Sequence, residues 1–290
     1  MILMHIPLIL LSFASEAICR PDAQLTAIFR ADTGLELENI AVRRNGNLLL
    51  TAVGSNSLLE IDPRQPAYST TVATILDVTS LTGITEISRD VFAVVAGNYT
   101  RQIPPQLGSF SLRAVDESTY PASTSKIANI PTGGFLNGAT AFPSSDERGK
   151  GNATILINDT IIGSIFHVDP STGRVTALFQ VQDLANSTSP PPFTQPGVIG
   201  LRYIPETKTL YYTNTIQAVF GSVKLQIKEH METLPLISVL SSRIIAAGIA
   251  GDDFLVRADG ISTPMGRSRR YFHWAGRGGI EPDIAWRGVV

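Results

Sequence analysis

The sequence contains few of the residue types on which several common kinds of functional site depend. One cysteine, Cys19, in 290 residues excludes an internal disulfide framework and a cysteine-based zinc site. The four histidines lie far apart, without the His-Glu-x-x-His spacing of zinc peptidases, and His167 is expected at the surface or at a sheet edge. A net charge of −2 and 7% aromatic residues provide neither the basic field nor the stacking surface that nucleic acids require. We therefore predict no nucleic-acid partner.

Long hydrophobic runs are also missing. No segment reaches the roughly 18 consecutive apolar residues of a membrane-spanning helix, so we predict no transmembrane span. The apolar run 6–13 is followed by small residues around Ser15 and Ala17, a pattern typical of a secretory signal. We expect residues 1–17 to be such a signal, with a buried first strand as the alternative because the positive start is missing.

Four Asn-x-Thr triplets also favour export, because this triplet is the acceptor for N-linked glycans. They begin at Asn98, Asn152, Asn158 and Asn186. Together with the signal-like start, they predict a secreted or secretory-pathway lumenal glycoprotein.

Helical periodicity is scarce, and short β-rich runs separated by turns take its place. Ile40 and Val42 alternate with less apolar neighbours, and Asn45-Gly46 then gives a strong hairpin signal. The apolar run Leu48–Leu50 predicts a return strand buried on both faces. A third strand is predicted from Ser57 to Asp62, where Pro63 ends it.

This strand–turn–strand unit recurs along the chain with a spacing of 45 to 61 residues. The copies begin at Asn39, Ile84, Asn137, Val198 and Asp253. Such repeats predict an all-β protein of the β-propeller type over residues 24–260. A β-sandwich would also give short strands, but it does not explain the third strands that end repeatedly in Ile-Asp or Val-Asp.

Propeller topology selects a candidate site. The innermost strand of each blade begins, and the second strand ends, at the same mouth of the central channel; we call this side the mouth face. The polar residues predicted there are Glu38, Asn39, Thr51, Glu86, Asn98, Asn137, Asp159, Asn214 and Asp252.

Five phrases of the sequence resemble the six-bladed propellers of the senescence-marker-protein (regucalcin), gluconolactonase and strictosidine-synthase-like group. They are Glu38–Asn47, Phe135–Thr140, Gly197–Arg202, Tyr211–Thr215 and Gly251–Gly260. The nearest likeness is to a secreted fungal branch, some of whose members are hetero-Diels–Alderases that join a tropolone quinone methide to a sesquiterpene. The resemblance implies binding and cyclisation of a small apolar natural-product intermediate without a required cofactor. Hydrogen-bond donors such as Asn137, Asn214 and Tyr212 would polarise its carbonyl group.

The lactonase members of the group imply an alternative, in which a Glu, an Asn and an Asp hold a divalent cation at the channel mouth. By motif match these are Glu38, Asn137 and Asp252, and oxygen ligands of this kind suit Ca²⁺ or Mg²⁺. A metal-dependent lactonase or esterase therefore remains open, and so does a non-catalytic or degenerate binding propeller.

The C-terminal segment departs from the family pattern. Residues 261–290 contain five Arg and five Gly against one Glu and one Asp, without a long alternating pattern. We therefore expect an irregular tail after residue 260, and a propeller with about four to five blades in place of six.

Overall fold

A computed structural model describes residues 26–31, 35–100, 102–143, 153–180, 197–217, 219–228, 236–247, 271–277 and 280–287. The strands within these ranges are β1 Thr26–Arg30, β2 Glu36–Val42, β3 Leu48–Val53, β4 Ser57–Ile61, β5 Ser69–Thr74, β6 Ser80–Ser88, β7 Val91–Gly97, β8 Ser111–Asp116, β9 Ser123–Asn129, β10 Leu136–Phe142, β11 Thr154–Asp159, β12 Ser164–Val168, β13 Val175–Gln180, β14 Val198–Ile204, β15 Thr209–Asn214, β16 Val219–Lys228, β17 Leu236–Ala247, β18 Tyr271–Arg277 and β19 Ile280–Arg287. A 3₁₀ turn, Pro205–Thr207, joins β14 to β15. The described residues contain no helix with the length and apolarity needed to cross a bilayer.

Sixteen of these strands form four antiparallel four-stranded sheets in simple up-and-down order. We call them blade 1 (β2–β5), blade 2 (β6–β9), blade 3 (β10–β13) and blade 4 (β14–β17). The first strands of consecutive blades pack against one another, β2 on β6, β6 on β10 and β10 on β14. Consecutive blades with adjoining inner strands are the arrangement of a β-propeller, which confirms the predicted all-β class and four complete blades.

The hydrophobic core lies between the blades. Phe110 of blade 2 packs with Phe135, just before blade 3, and Phe142 of blade 3 packs with Tyr203 of blade 4. Burying a large apolar side chain contributes roughly 1.5–3 kcal/mol, so these interfaces hold neighbouring blades together. β3, the second strand of blade 1, is buried along its whole length, as its apolar run predicts.

Turn chemistry at the first hairpin follows the sequence. Gly46 has φ +91°, a conformation that glycine adopts without steric cost, and its N–H donates to the Arg43 carbonyl at 2.9 Å. The predicted Asn45-Gly46 turn between β2 and β3 is therefore confirmed.

The C-terminal segment differs from the expected irregular tail. β18 and β19 form an antiparallel hairpin, and β19 pairs with β1 through partners such as Thr26 and Trp286. We call this three-stranded sheet the terminal sheet. The expectation of no paired strands is thus wrong over 271–277 and 280–287, because a strand from the other end of the chain supplies the pairing partner.

His167 also differs from its predicted place at the surface. It has no exposed surface, Nε2 is hydrogen-bonded to Thr154 Oγ1 at 2.7 Å, and the ring meets Phe142 edge-on. β12 lies inside blade 3 with both faces covered, so the sequence offers no alternation that would reveal the burial. Burial lowers the pKa of His167 from 6.5 to about 4.

Acid should therefore destabilise the protein through His167. Its folded pKa lies below its unfolded value, so the stability of the neutral form is lost as the pH falls from about 6.5 towards 4. We expect His167→Gln to remove roughly 2–3 kcal/mol of this pH dependence, as measured by urea unfolding at pH 7 and pH 4.5. Equal pH dependence in the wild type and the variant would refute this role.

Candidate functional site

Each inner strand contains a β-bulge at the same position on the mouth face. From Leu37 to Ile40, β2 advances three residues while its partner β3 advances two. The same shift occurs in β6, β10 and β14. The bulged residue pairs are Glu38-Asn39, Thr82-Gly83, Asn137-Gly138 and Ile199-Gly200. The four inner strands therefore present equivalent residues at one level: Glu38, Thr82, Asn137 and Ile199.

Glycine at the second bulge position lets neighbouring inner strands approach closely. A Cβ on Gly83 would lie 2.3 Å from the Asn137 carbonyl oxygen, and a Cβ on Gly138 would lie 2.3 Å from the Ile199 carbonyl oxygen. The bulge of blade 2 thus rests on that of blade 3, and the bulge of blade 3 rests on that of blade 4. This contact fixes the position of Asn137 between blades 2 and 4.

Polar side chains tie the blades together at the same level. Thr51 Oγ1 donates to the Thr82 carbonyl at 2.5 Å, Thr82 Oγ1 donates to the Leu136 carbonyl at 3.0 Å, and Asn158 Nδ2 donates to the Val198 carbonyl at 2.5 Å. Buried hydrogen bonds of this kind are costly to leave unmade. They form a rigid frame around the site.

Glu38 and Asn137 meet across the inner strands of blades 1 and 3. Asn137 Nδ2 donates to Glu38 Oε1 at 2.5 Å. Asn137 is only 3% exposed, whereas Glu38 is partly exposed. Glu38 is therefore the group that a ligand can reach, and the buried Asn137 fixes the position of its carboxyl group through this hydrogen bond.

The electrostatics of Glu38 are unusual for a glutamate. Burial raises its pKa from 4.5 to about 7; the hydrogen bond from Asn137 opposes this effect, and the negative charge of Glu36 adds to it. A substantial fraction of the Glu38 carboxyl is thus protonated at neutral pH and can donate a hydrogen bond. Perturbed carboxyl groups of this kind are typical of functional sites.

The same pair offers two oxygen donors to a cation. Asn137 Oδ1 is buried and has no hydrogen-bond partner among the described residues, and Glu38 supplies a carboxylate next to it. This donor chemistry fits Ca²⁺ or Mg²⁺. Asp252, the predicted third ligand, lies outside the described residues, and no cluster of three His, Cys, Asp or Glu side chains is found within them.

Tyr212 and Asn214 are not brought together with Asn137. Tyr212 has no exposed surface and packs against Gly221 of β16, so a substrate at the mouth face cannot reach its hydroxyl. Asn214 is also fully buried, and its Oδ1 accepts the Gln217 N–H at 3.1 Å. Both side chains lie in the interior, and their roles as donors to a substrate stay predictions.

Two other predicted mouth residues have structural roles. The Asp159 carboxylate is buried and accepts backbone N–H groups from Gly134, Phe135, Ile161 and Ile162. Glu86 lies towards the far end of β6, where its Oε1 accepts the Asp90 N–H at 3.0 Å. The prediction placed Glu86 at the mouth face because the apolar pattern suggested that this strand begins at Ile84. In the structure β6 begins at Ser80, so Glu86 lies farther from the mouth face.

Apolar side chains surround the mouth face, a feature that the sequence analysis missed. Leu76 in the β5–β6 loop, Ile103 and Leu107 in the β7–β8 loop and Ile162 in the β11–β12 loop are all exposed. These loops share the mouth face because antiparallel strands alternate in direction. We call the four residues the apolar rim. Ile103 and Leu107 lie singly among polar and proline residues, and Leu76 and Ile162 each follow a less exposed isoleucine, so no hydrophobic pattern marks the four residues.

No protein-family model and no curated protein matches the sequence. Similar solved structures include an auxiliary nutrient binding protein from Bacteroides thetaiotaomicron, with 14% identity and a TM-score of 0.51 over 83% of this chain and 52% of that one. The chain thus spans about half the length of that protein.

Regucalcin, a calcium-binding protein from Agrobacterium tumefaciens, has 15% identity and a TM-score of 0.49 over 87% and 74% of the two chains. A PQQ-bound aldose sugar dehydrogenase from Streptomyces coelicolor has 12% identity and a TM-score of 0.49 over 91% and 98%. At such identities the similarity concerns the fold. The four blades and the contacts between their inner strands define the chain as an all-β protein of the propeller type.

Proposed function

We propose that the mouth face binds a small apolar carbonyl compound and promotes its cyclisation, as in the hetero-Diels–Alderases that the sequence resembles. The observation that carries this proposal is the Glu38–Asn137 hydrogen bond between blades 1 and 3. It holds a carboxyl with a pKa of about 7 at the start of an inner strand. We further propose that the substrate is a natural-product intermediate of the quinone methide type.

A cycloaddition of this kind needs no nucleophile. The protonated carboxyl of Glu38 would donate a hydrogen bond to the carbonyl oxygen of the heterodiene and make it more electrophilic. Asn137 is the positioning residue, since it touches Glu38 and is itself buried. Holding the two reacting partners together contributes on the order of 7–11 kcal/mol at best.

The apolar rim supports an apolar ligand. Exposed Leu76, Leu107 and Ile162 come from three different loops on the face where Glu38 is accessible. Apolar contacts around a few placed polar groups are typical of small-molecule sites. A strongly hydrated substrate would gain little from such surroundings.

A metal-dependent lactonase is the second candidate. The observation that favours it is the buried, unpartnered Asn137 Oδ1 beside the Glu38 carboxylate. Glu38, Asn137 and Asp252 would hold Ca²⁺ or Mg²⁺, which when bound polarises a lactone carbonyl and activates water.

Glu38→Gln tests the first candidate. We expect the variant to lower the rate of a quinone methide–alkene cycloaddition by about 10-fold, since an amide is a weaker acid than a carboxyl. The wild-type rate should fall as the pH rises through about 7, because Glu38 then loses its proton. The rate of the variant should not change with pH in this range.

Glu206→Gln is the matched control, because Glu206 is exposed in the 3₁₀ turn on the opposite face. Activity that persists in a chelator supports the cycloaddition. A stoichiometric divalent ion that is lost together with lactone hydrolysis in Glu38→Gln would establish the second candidate instead. If the folded protein bound neither substrate class, a non-catalytic binding propeller would be the remaining candidate.

A further inference from the structure

The two acceptor triplets within the described residues have opposite surroundings. Asn158 has no exposed surface, and its Nδ2, the atom that would carry a glycan, donates to the Val198 carbonyl. A glycan there is incompatible with the contact between blades 3 and 4. Asn98 is partly exposed just after β7, on the mouth face.

Every backbone group that fixes Asn98-Tyr99-Thr100 is satisfied without the Asn98 side chain. The Asn98 N–H donates to Ser109 Oγ at 3.0 Å, and its carbonyl accepts the Gln106 N–H at 2.9 Å. The Tyr99 N–H donates to Thr79 Oγ1 at 2.9 Å. A group attached to the Asn98 amide therefore breaks none of these hydrogen bonds.

The middle residue of the triplet points inwards. The Tyr99 ring packs on Phe135 with centroids 4.7 Å apart, which anchors the loop to the core between blades 2 and 3. Asn98 and Thr100, on either side, are partly exposed. The Asn98 amide thus lies, partly exposed, on a loop that the packing of Tyr99 anchors to the core.

We propose that Asn98 carries an N-linked glycan and that Asn158 does not. In this reaction a bond forms between Asn98 Nδ2 and the anomeric carbon of a lipid-pyrophosphate-linked oligosaccharide. The bond from that carbon to the pyrophosphate oxygen breaks, and the amide loses one proton. Modification precedes folding, and the fold then accommodates the glycan at Asn98.

The position of the glycan has a consequence for the mouth face. Asn98 is hydrogen-bonded to Gln106, the neighbour of Leu107, which is 78% exposed. The sugar is therefore attached close to Leu107, on the blade 2 side of the mouth face.

The test is peptide mass spectrometry of the full chain purified from a eukaryotic secretory host, with its own N-terminus. Enzymatic removal of N-glycans converts a modified Asn to Asp, so the Asn98 and Asn158 peptides are scored separately from those of Asn152 and Asn186. We expect Asp at position 98 in the wild type and in Thr100→Ser, which keeps the acceptor triplet. We expect unmodified Asn98 in Thr100→Ala.

The Asn158 peptide should be unmodified in all three samples. Unmodified Asn98 in the folded wild-type protein would overturn the proposal, whether the chain is exported or retained in the cytosol. A glycan at Asn158 in folded, monodisperse protein would overturn it as well.

Discussion

Replacing Gly138 by alanine is expected to lower the free energy of unfolding by about 3–5 kcal/mol, which is large for a single methyl group. The new Cβ would lie 2.3 Å from the Ile199 carbonyl oxygen, 2.7 Å from Asn158 Oδ1 and 3.1 Å from the Leu201 nitrogen. Two of these three atoms belong to the β14 backbone, which is hydrogen-bonded to β15 and cannot move alone. Blades 3 and 4 must separate, and the Asn158 hydrogen bond to Val198 is strained.

Gly133→Ala is the matched control for this prediction. Its Cβ would lie 3.0 Å from Leu136 Cδ2 and 3.2 Å from the Ile130 carbonyl oxygen, which shifts of a few tenths of an ångström relieve, so we expect a loss of about 1 kcal/mol. Urea unfolding at pH 7 compares the two variants. If Gly138→Ala lost as little stability as Gly133→Ala, the inner strands would tolerate an added methyl group, contrary to the close packing of the bulges.

Arg43→Met is expected to lower the free energy of unfolding by about 2–3 kcal/mol at pH 8 and by much less at pH 5. Arg43 joins blades 1 and 2 on the side opposite the mouth face. Its Nη1 lies 2.8 Å from Glu60 Oε1 and 2.7 Å from Glu117 Oε2, and its Nη2 lies 3.2 Å from Asp90 Oδ1. Removing the guanidinium leaves three carboxylates close together and mostly buried, a situation that is strongly destabilising.

The pH dependence follows from Glu117, whose side chain is 3% exposed. Burial raises its pKa from 4.5 to about 7; Arg43 opposes this effect, whereas Glu60 and Asp90 add to it. Without Arg43 the pKa rises further, so the variant binds protons more readily and recovers stability as the pH falls. Unfolding by urea at pH 5 and pH 8 measures the difference.

Glu117→Gln provides the reciprocal measurement. A carboxyl with a raised folded pKa contributes stability below its unfolded pKa, and this contribution is lost as the pH rises from about 4.5 to 7. We therefore expect the variant to exceed the wild type by roughly 2 kcal/mol at pH 8 and to match it near pH 4. In the Arg43→Met background the gain at pH 8 should be larger, and a smaller gain would contradict the coupling.

The first three strands of each complete blade could be predicted from the sequence because apolar runs and turn residues mark them. The fourth strands of blades 1 and 2 could not be located in this way. β5 and β9 are rich in Ser and Thr and largely exposed, with Ala73 and Ala128 as their buried side chains. Their position depends on pairing with the third strand rather than on a hydrophobic pattern of their own.

The meeting of Glu38 and Asn137 could be predicted because the repeat places both at the start of an inner strand. Which strand face the neighbouring side chains occupy could not be predicted. Tyr212 lies near the end of β15, but it shares a strand face with Leu210, and both pack in the core between blades 3 and 4. The adjacent tyrosines Tyr211 and Tyr212 give no alternation that shows which of them faces the core.

The terminal sheet makes completion of the fold depend on pairing between strands that are far apart in the sequence, which is the slowest kind of contact to form. Thr26 pairs with Trp286, so the hydrogen bonds between β1 and β19 close a loop that includes all four blades. The entropy lost on closure grows with loop length, and distant pairings of this kind slow folding. During synthesis, Ile28 and Phe29 of β1 lie beside the apolar side of blade 1 without a paired strand until β19 has been synthesised. Pairing of β1 with β19 should therefore follow formation of the blades themselves.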